Sequence, residues 1–155
     1  MNNDGQLRKH IIELLDGKSA HIDLESALKD FPSDKINNKP GGSPHSAWQL
    51  LEHIRIAQWD MLDFCRNPNY KEMKWPDDYW PKDDGTKETW DRSVKQVLDD
   101  LQAMHDLVTN EFTDLFAKIP HGSGQTILRE ALLVADHNAY HLGQLMLLRR
   151  MLEKK

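Results

Sequence analysis

The chain has 155 residues, 39% hydrophobic and 29% charged, which fits a single domain over residues 1–155 that needs no disulfide staples. Its net charge of −5, with the positive residues scattered rather than striped, excludes an ordinary basic nucleic-acid surface, and the lone cysteine, Cys65, excludes an intramolecular disulfide and fits a reducing compartment. No apolar run approaches the ~18 residues of a membrane span and the opening MNNDGQLRKH lacks the apolar stretch of a signal peptide, so the expectation is a cytoplasmic protein with no membrane or nucleic-acid partner.

All seven prolines fall in three zones, 32–44, 68–81 and at 120, and these divide the chain into segments free of helix breakers. No segment alternates with the period of two that marks a strand, so the fold is expected to be all-α. A first helix is expected over about 5–16, where Leu7, Ile11, Ile12 and Leu15 share a face and Gly17 is placed to end it. A short helical segment follows over about 23–31, then the turn-rich PSDKINNKPGGSP, long enough to let two neighbouring helices run parallel. The next helix runs from about Ser46 to Arg66.

The stretch 67–85 is irregular yet holds Tyr70, Trp75, Tyr79 and Trp80. Loops of that length are usually functional or disordered, and four aromatic rings argue against disorder. Together with Trp90 they are candidates to wall a pocket, and the loop as a whole to make a dimer contact; Trp48 and Trp59 read as core or interface residues. A third long helix opens at Thr86 and Thr89 and runs to about Asn110; a connector with one or two helical turns leads to the last helix, about Gln125 to Leu152. The closing RRMLEKK is basic where cations complement a helix C-terminus. Three long helices and a shorter first one make a four-helix bundle with long crossover connections.

The last helix carries ADHNAYHLGQL, with His137 and His141 four residues apart on the stripe of Val134, Leu145, Leu148 and Leu152. Residues four apart lie about 40° apart around a helix, so both imidazoles point toward the bundle axis. Buried imidazoles need polar partners, and one divalent cation satisfies a nitrogen on each. An ion held by protein needs a third ligand, from another helix. His53 lies on the core-facing stripe of Leu50, Ala57, Met61 and Phe64; His105, near Leu98, Leu101 and Val108, is its rival, whereas His10 and His21 flank the first helix and His45 and His121 lie in connections. The wheel favours His53.

The pairing of HSAWQLLEHIRIAQWDMLDF with a downstream DHNAYHLGQL, along with YWP and the final LGQLMLLRR, resembles the DinB/YfiT-like superfamily over nearly the whole chain. The resemblance implies a four-helix bundle whose divalent metal, zinc, nickel or iron, is held by His53, His137 and His141. It also implies homodimers. Members of the family include bacillithiol or glutathione S-transferases and a mycothiol-dependent isomerase, so a low-molecular-weight thiol is an expected cosubstrate.

Two readings follow. In the first the chain is a metalloenzyme acting on a small-molecule substrate: an activated thiol attacking an electrophile makes it a transferase, an activated water attacking a carbonyl a hydrolase. In the second the ion only stabilises a bundle that serves as a stress-response binding partner. No internal nucleophile is evident, since Cys65 falls about three turns from His53 and reads as a structural thiol. Glu52 reads as a surface group or a support for a ligand, Asp136 as one that could orient an imidazole on a neighbouring helix, and Glu130 as a buried support or base. Gly143, inside the last helix, points to close helix packing or to room for a ligand beside His141.

Overall fold

Each of the two middle helices begins where the sequence supplies a reciprocal cap. In the computed structural model, which describes residues 3–153, Ser46 accepts a hydrogen bond from the Gln49 amide while Gln49 reaches back to the Ser46 amide, and Thr86 and Thr89 do the same. These capping boxes satisfy amides that the first helical turn leaves without partners. They open α3 (Ala47–Arg66) and α4 (Lys87–Thr109); the other helices are α1 (Asn3–Asp16), the short α2 (Leu24–Leu28) and α5 (Ile127–Glu153). Gly17, at φ +68°, ends α1, and Asp23 caps α2 by accepting from the Ser26 amide. The described residues are otherwise 3-10 turns, loops and one isolated bridge between Lys118 and Thr126. None of their helices is long and apolar enough to cross a membrane.

The four long helices form the expected bundle. α3 packs against α4 and α5, and α1 packs against the same two, so α1 and α3 occupy opposite corners. Glu52 meets Ser93 and Gln58 meets Val97, so α3 and α4 advance in the same direction. Leu50 shares a cavity with Leu148, and Phe64 one with Leu133, so α3 and α5 run antiparallel. Arg8, near the start of α1, donates to the carbonyls of Val108 and Asn110 at the end of α4, which sets those two antiparallel. The parallel neighbours that follow one another in the chain are therefore α3 and α4, joined by the aromatic stretch, and α1 and α5 form a second parallel pair. The turn-rich segment before α3, expected to serve that purpose, leads instead to the diagonal corner.

The aromatic stretch is pinned along its length. Tyr70 and Tyr79 both donate their hydroxyls to Asp60, at 2.9 and 2.6 Å. Trp48 Nε1 donates to the Asp83 carbonyl, and Asn37 exchanges two hydrogen bonds with Gly85. The core lies in two parts. One gathers Leu50, Leu51, Ile54, Trp90, Val97 and Leu145 with the face of α2; the other gathers Ile11, Met61, Leu62, Met104, Val108 and Val134. Each fully buried leucine or isoleucine stabilises the fold by about 1.5–3 kcal/mol. Fully buried Gln58 donates to the Val97 carbonyl and accepts from Asn138, a polar cross-link joining three helices one turn from the histidines.

Candidate metal centre

The three histidines on the core-facing stripes of α3 and α5 come together. One nitrogen from each of His53, His137 and His141 lies within 4.8 Å of the other two, a group that could hold a metal ion. His105 does not join them; it lines a cavity with Leu15, Asp16 and Leu101 on the α1–α4 side.

Neighbouring oxygens fix which nitrogen each ring offers. His53 Nδ1 stands 2.9 Å from the Tyr79 carbonyl, which can only accept, so the proton sits on Nδ1 and the Nε2 lone pair is free. His141 Nδ1 likewise donates to Gln144 Oε1 at 2.9 Å. Oxygen acceptors of this kind behind a ligating imidazole set its tautomer and raise its basicity. His137 Nε2 lies 3.1 Å from His53 Nε2. Two imidazole nitrogens bound to one ion at ~2.1 Å stand about 3.0 Å apart at a right angle and about 3.4 Å apart at the tetrahedral angle, so the spacing fits a shared cation. His137 Nδ1 is buried without a partner, as is Asn138 Oδ1 beside it.

Electrostatics keep the rings neutral. Burial, reinforced by His141 and His53, pushes the His137 pKa down to about 3. Burial also lowers His53, against a raising contribution from the Tyr79 carbonyl, and it lowers His141. Neutral imidazoles are the ligand form, so no proton has to leave before an ion binds near pH 7.

Aromatic rings close one side. Trp80 lies flat on His53, centroids 4.0 Å apart and planes within 2°, and it also stacks on His45 at 4.1 Å. Trp75 stands 6.3 Å from His53 and is largely exposed. Tyr140 meets His141 edge-on at 4.9 Å from the outer face of α5. Trp90, expected beside the pocket, is buried in the core against Phe31, as is Trp48 in the same cluster, while Trp59 is exposed.

The acids take other places. Glu52 is buried, not at the surface, and accepts from Arg55 and from the Ser93 hydroxyl, tying α3 to α4. Asp136 is exposed. Glu130 is buried as expected but pairs with Arg129 at 2.6 Å and lines a cavity with Asp60, Tyr70 and Tyr79. Gly143 is exposed, with no atom within 4 Å of where a Cβ would stand, so it serves no close packing. Cys65 is half-buried, and burial first, then Glu130, pushes its thiol up to about 12, the behaviour of a structural cysteine.

Trp80 stands at the centre as the aromatic stretch was expected to, whereas His45, the Tyr79 carbonyl and Gln144 are parts the sequence does not single out. Only Gln144 carries a local signal, since it stands three residues after His141 and so on the same helical face.

A four-helix bundle with three inward histidines, two of them four residues apart on one helix, defines a class of helical protein that could hold a metal ion. The family model of the DinB superfamily matches residues 19–145, and the chain belongs to that superfamily. Comparison with curated proteins and with solved structures gives no match.

Proposed function

We propose that the protein is a metal-dependent enzyme in which His53, His137 and His141 hold one divalent ion, zinc, nickel or iron, for the attack of a low-molecular-weight thiol or a water on a small electrophile. The observation that carries this reading is the pair of fixed tautomers: the Tyr79 carbonyl and the Gln144 amide take the Nδ1 protons of two rings and leave their Nε2 lone pairs for one ion. When bound, such an ion lowers the pKa of a thiol or water toward neutrality.

The chain's own groups do the rest. Three neutral ligands leave the ion's charge uncompensated, which favours an anionic nucleophile. Trp80 covers the face of His53 and keeps water from that side. Cys65 supplies no nucleophile, because its thiol stays protonated. The reacting thiol or water therefore comes from outside the chain.

The first experiment is elemental analysis of untagged protein, wild type beside His137→Ala. About one equivalent in the wild type and almost none in the variant is the expected result, followed by loss of thiol- or water-dependent turnover in each of the three alanine variants. Full turnover in a triple-alanine variant would overturn the proposal. Metal content that depends on the triad, but with no turnover and with unfolding on metal removal, would assign the ion to stability alone.

A further inference from the structure

Beside the histidines, on the side away from Glu130, the structure has a second cavity of about 400 Å³ between the loop 40–45 and the C-terminal half of α5. Its walls include Pro40, Pro44, Leu50, Leu147, Leu148 and Met151, and no charged residue lines it. That is uncommon in a chain that is 29% charged. The cavity that Tyr79 lines, by contrast, has Asp60, Glu72, Arg129 and Glu130 in its walls.

Three observations bear on what the apolar cavity is for. Two of its wall residues reach the histidines: Gln144 accepts from His141 Nδ1, and His45 stacks on Trp80, which stacks on His53. Leu147 and Met151 stay 60% and 37% exposed, apolar surface that an occupant would cover. At Gly41 the loop closes tightly on α5 and bounds the cavity. Gly41 has φ +60°, a conformation side chains rarely adopt, and a Cβ there would stand 2.6 Å from Met151 Cε.

We propose that this cavity seats the uncharged, apolar tail of the small molecule whose reactive head meets the three histidines, and that it sets a preference for substrates with a short hydrocarbon group. The inference rests on the proposed function for the position of the head; the cavity itself does not. A tail withdrawn from water gains affinity with each methylene until the cavity is full.

The test is calorimetric titration of the zinc-loaded full chain with 1-propanethiol, 1-butanethiol and 1-hexanethiol. About fourfold tighter binding per added methylene is expected. In Leu147→Gln/Met151→Gln, both at exposed positions that should not disturb folding, the dependence on chain length should flatten while zinc affinity holds. Equal affinity for all three thiols in the wild type would overturn the proposal, and so would an unchanged length dependence in the double variant. A double variant that instead turns a dimer into a monomer, with length dependence kept, would give this face to a second copy of the chain and overturn it too. If the protein takes up none of zinc, nickel and iron, the proposed function fails and the cavity is tested alone, by methyl NMR of the metal-free protein with 1-hexanol. Saturable shifts of the Met151 methyl would then uphold the apolar site, and their absence would overturn it.

Discussion

Gln144 shows how much a residue beyond the triad decides. Its Oε1 takes the His141 Nδ1 proton, and the ring then offers Nε2 inward. Gln144→Leu keeps the volume and removes the acceptor. Metal affinity should fall about 10–100-fold, the usual effect of losing such a support, read by competition against a chelating dye. Unchanged affinity would mean that packing alone orients His141. Cys65 allows a second check at this scale. With its pKa pushed up to about 12, almost no thiolate exists at pH 8, so iodoacetamide should label it slowly in the folded protein and rapidly in denaturant. Fast labelling of the native chain would return Cys65 to the list of nucleophiles. At this scale the triad was legible because helical periodicity places His137 and His141 together and His53 on a core stripe. His45 was not, because its stack on Trp80 joins a loop before α3 to a loop after it, and spacing carries no trace of that.

Helix ends are encoded locally and the routes between helices are not. The capping residues Ser46 and Thr86 sit one position before α3 and α4, and both starts can be read from a few neighbouring letters. The path of 67–86 depends on pairs far apart in the chain, Asp60 with Tyr79, Trp48 with Asp83, Asn37 with Gly85, so its length could be read but its attachment could not. That attachment matters to the centre, since Tyr79 gives its hydroxyl to Asp60 and its carbonyl to His53. Gly143 is the case where an element-level reading went wrong. A glycine inside a helix normally implies a close neighbour, yet this one faces open space. Gly143→Ala should therefore stabilise the protein, by up to about 1 kcal/mol, because alanine loses less backbone freedom and meets nothing. Chemical denaturation measures it; a loss of stability would mean that something unseen packs against that face.

At the scale of the whole molecule, the centre couples folding to protons and to metal. The metal-free fold holds His137 neutral down to about 3, whereas the unfolded chain protonates it near its ordinary value of 6.5. Between those two values the unfolded state binds more protons, so stability falls as pH drops from about 6.5 toward 3 and is unaffected above that window. The lowered values of His53 and His141 act in the same direction. A divalent ion binds the folded arrangement of rings and not the scattered ones, so it should raise the melting temperature at pH 7; at 100 times its dissociation constant the gain is about 2.7 kcal/mol. The folded rings are already neutral, and protons do not compete at His137 until the pH nears 3, so the same zinc concentration should raise the melting temperature by a similar amount at pH 5 and at pH 7. Thermal denaturation with and without zinc at both pH values tests the two effects separately. A metal-free melting temperature that stays flat from pH 7 to 5 would mean that the buried rings protonate without cost. A zinc-induced rise that shrinks strongly at pH 5 would mean that the folded rings take up protons in that range despite their burial.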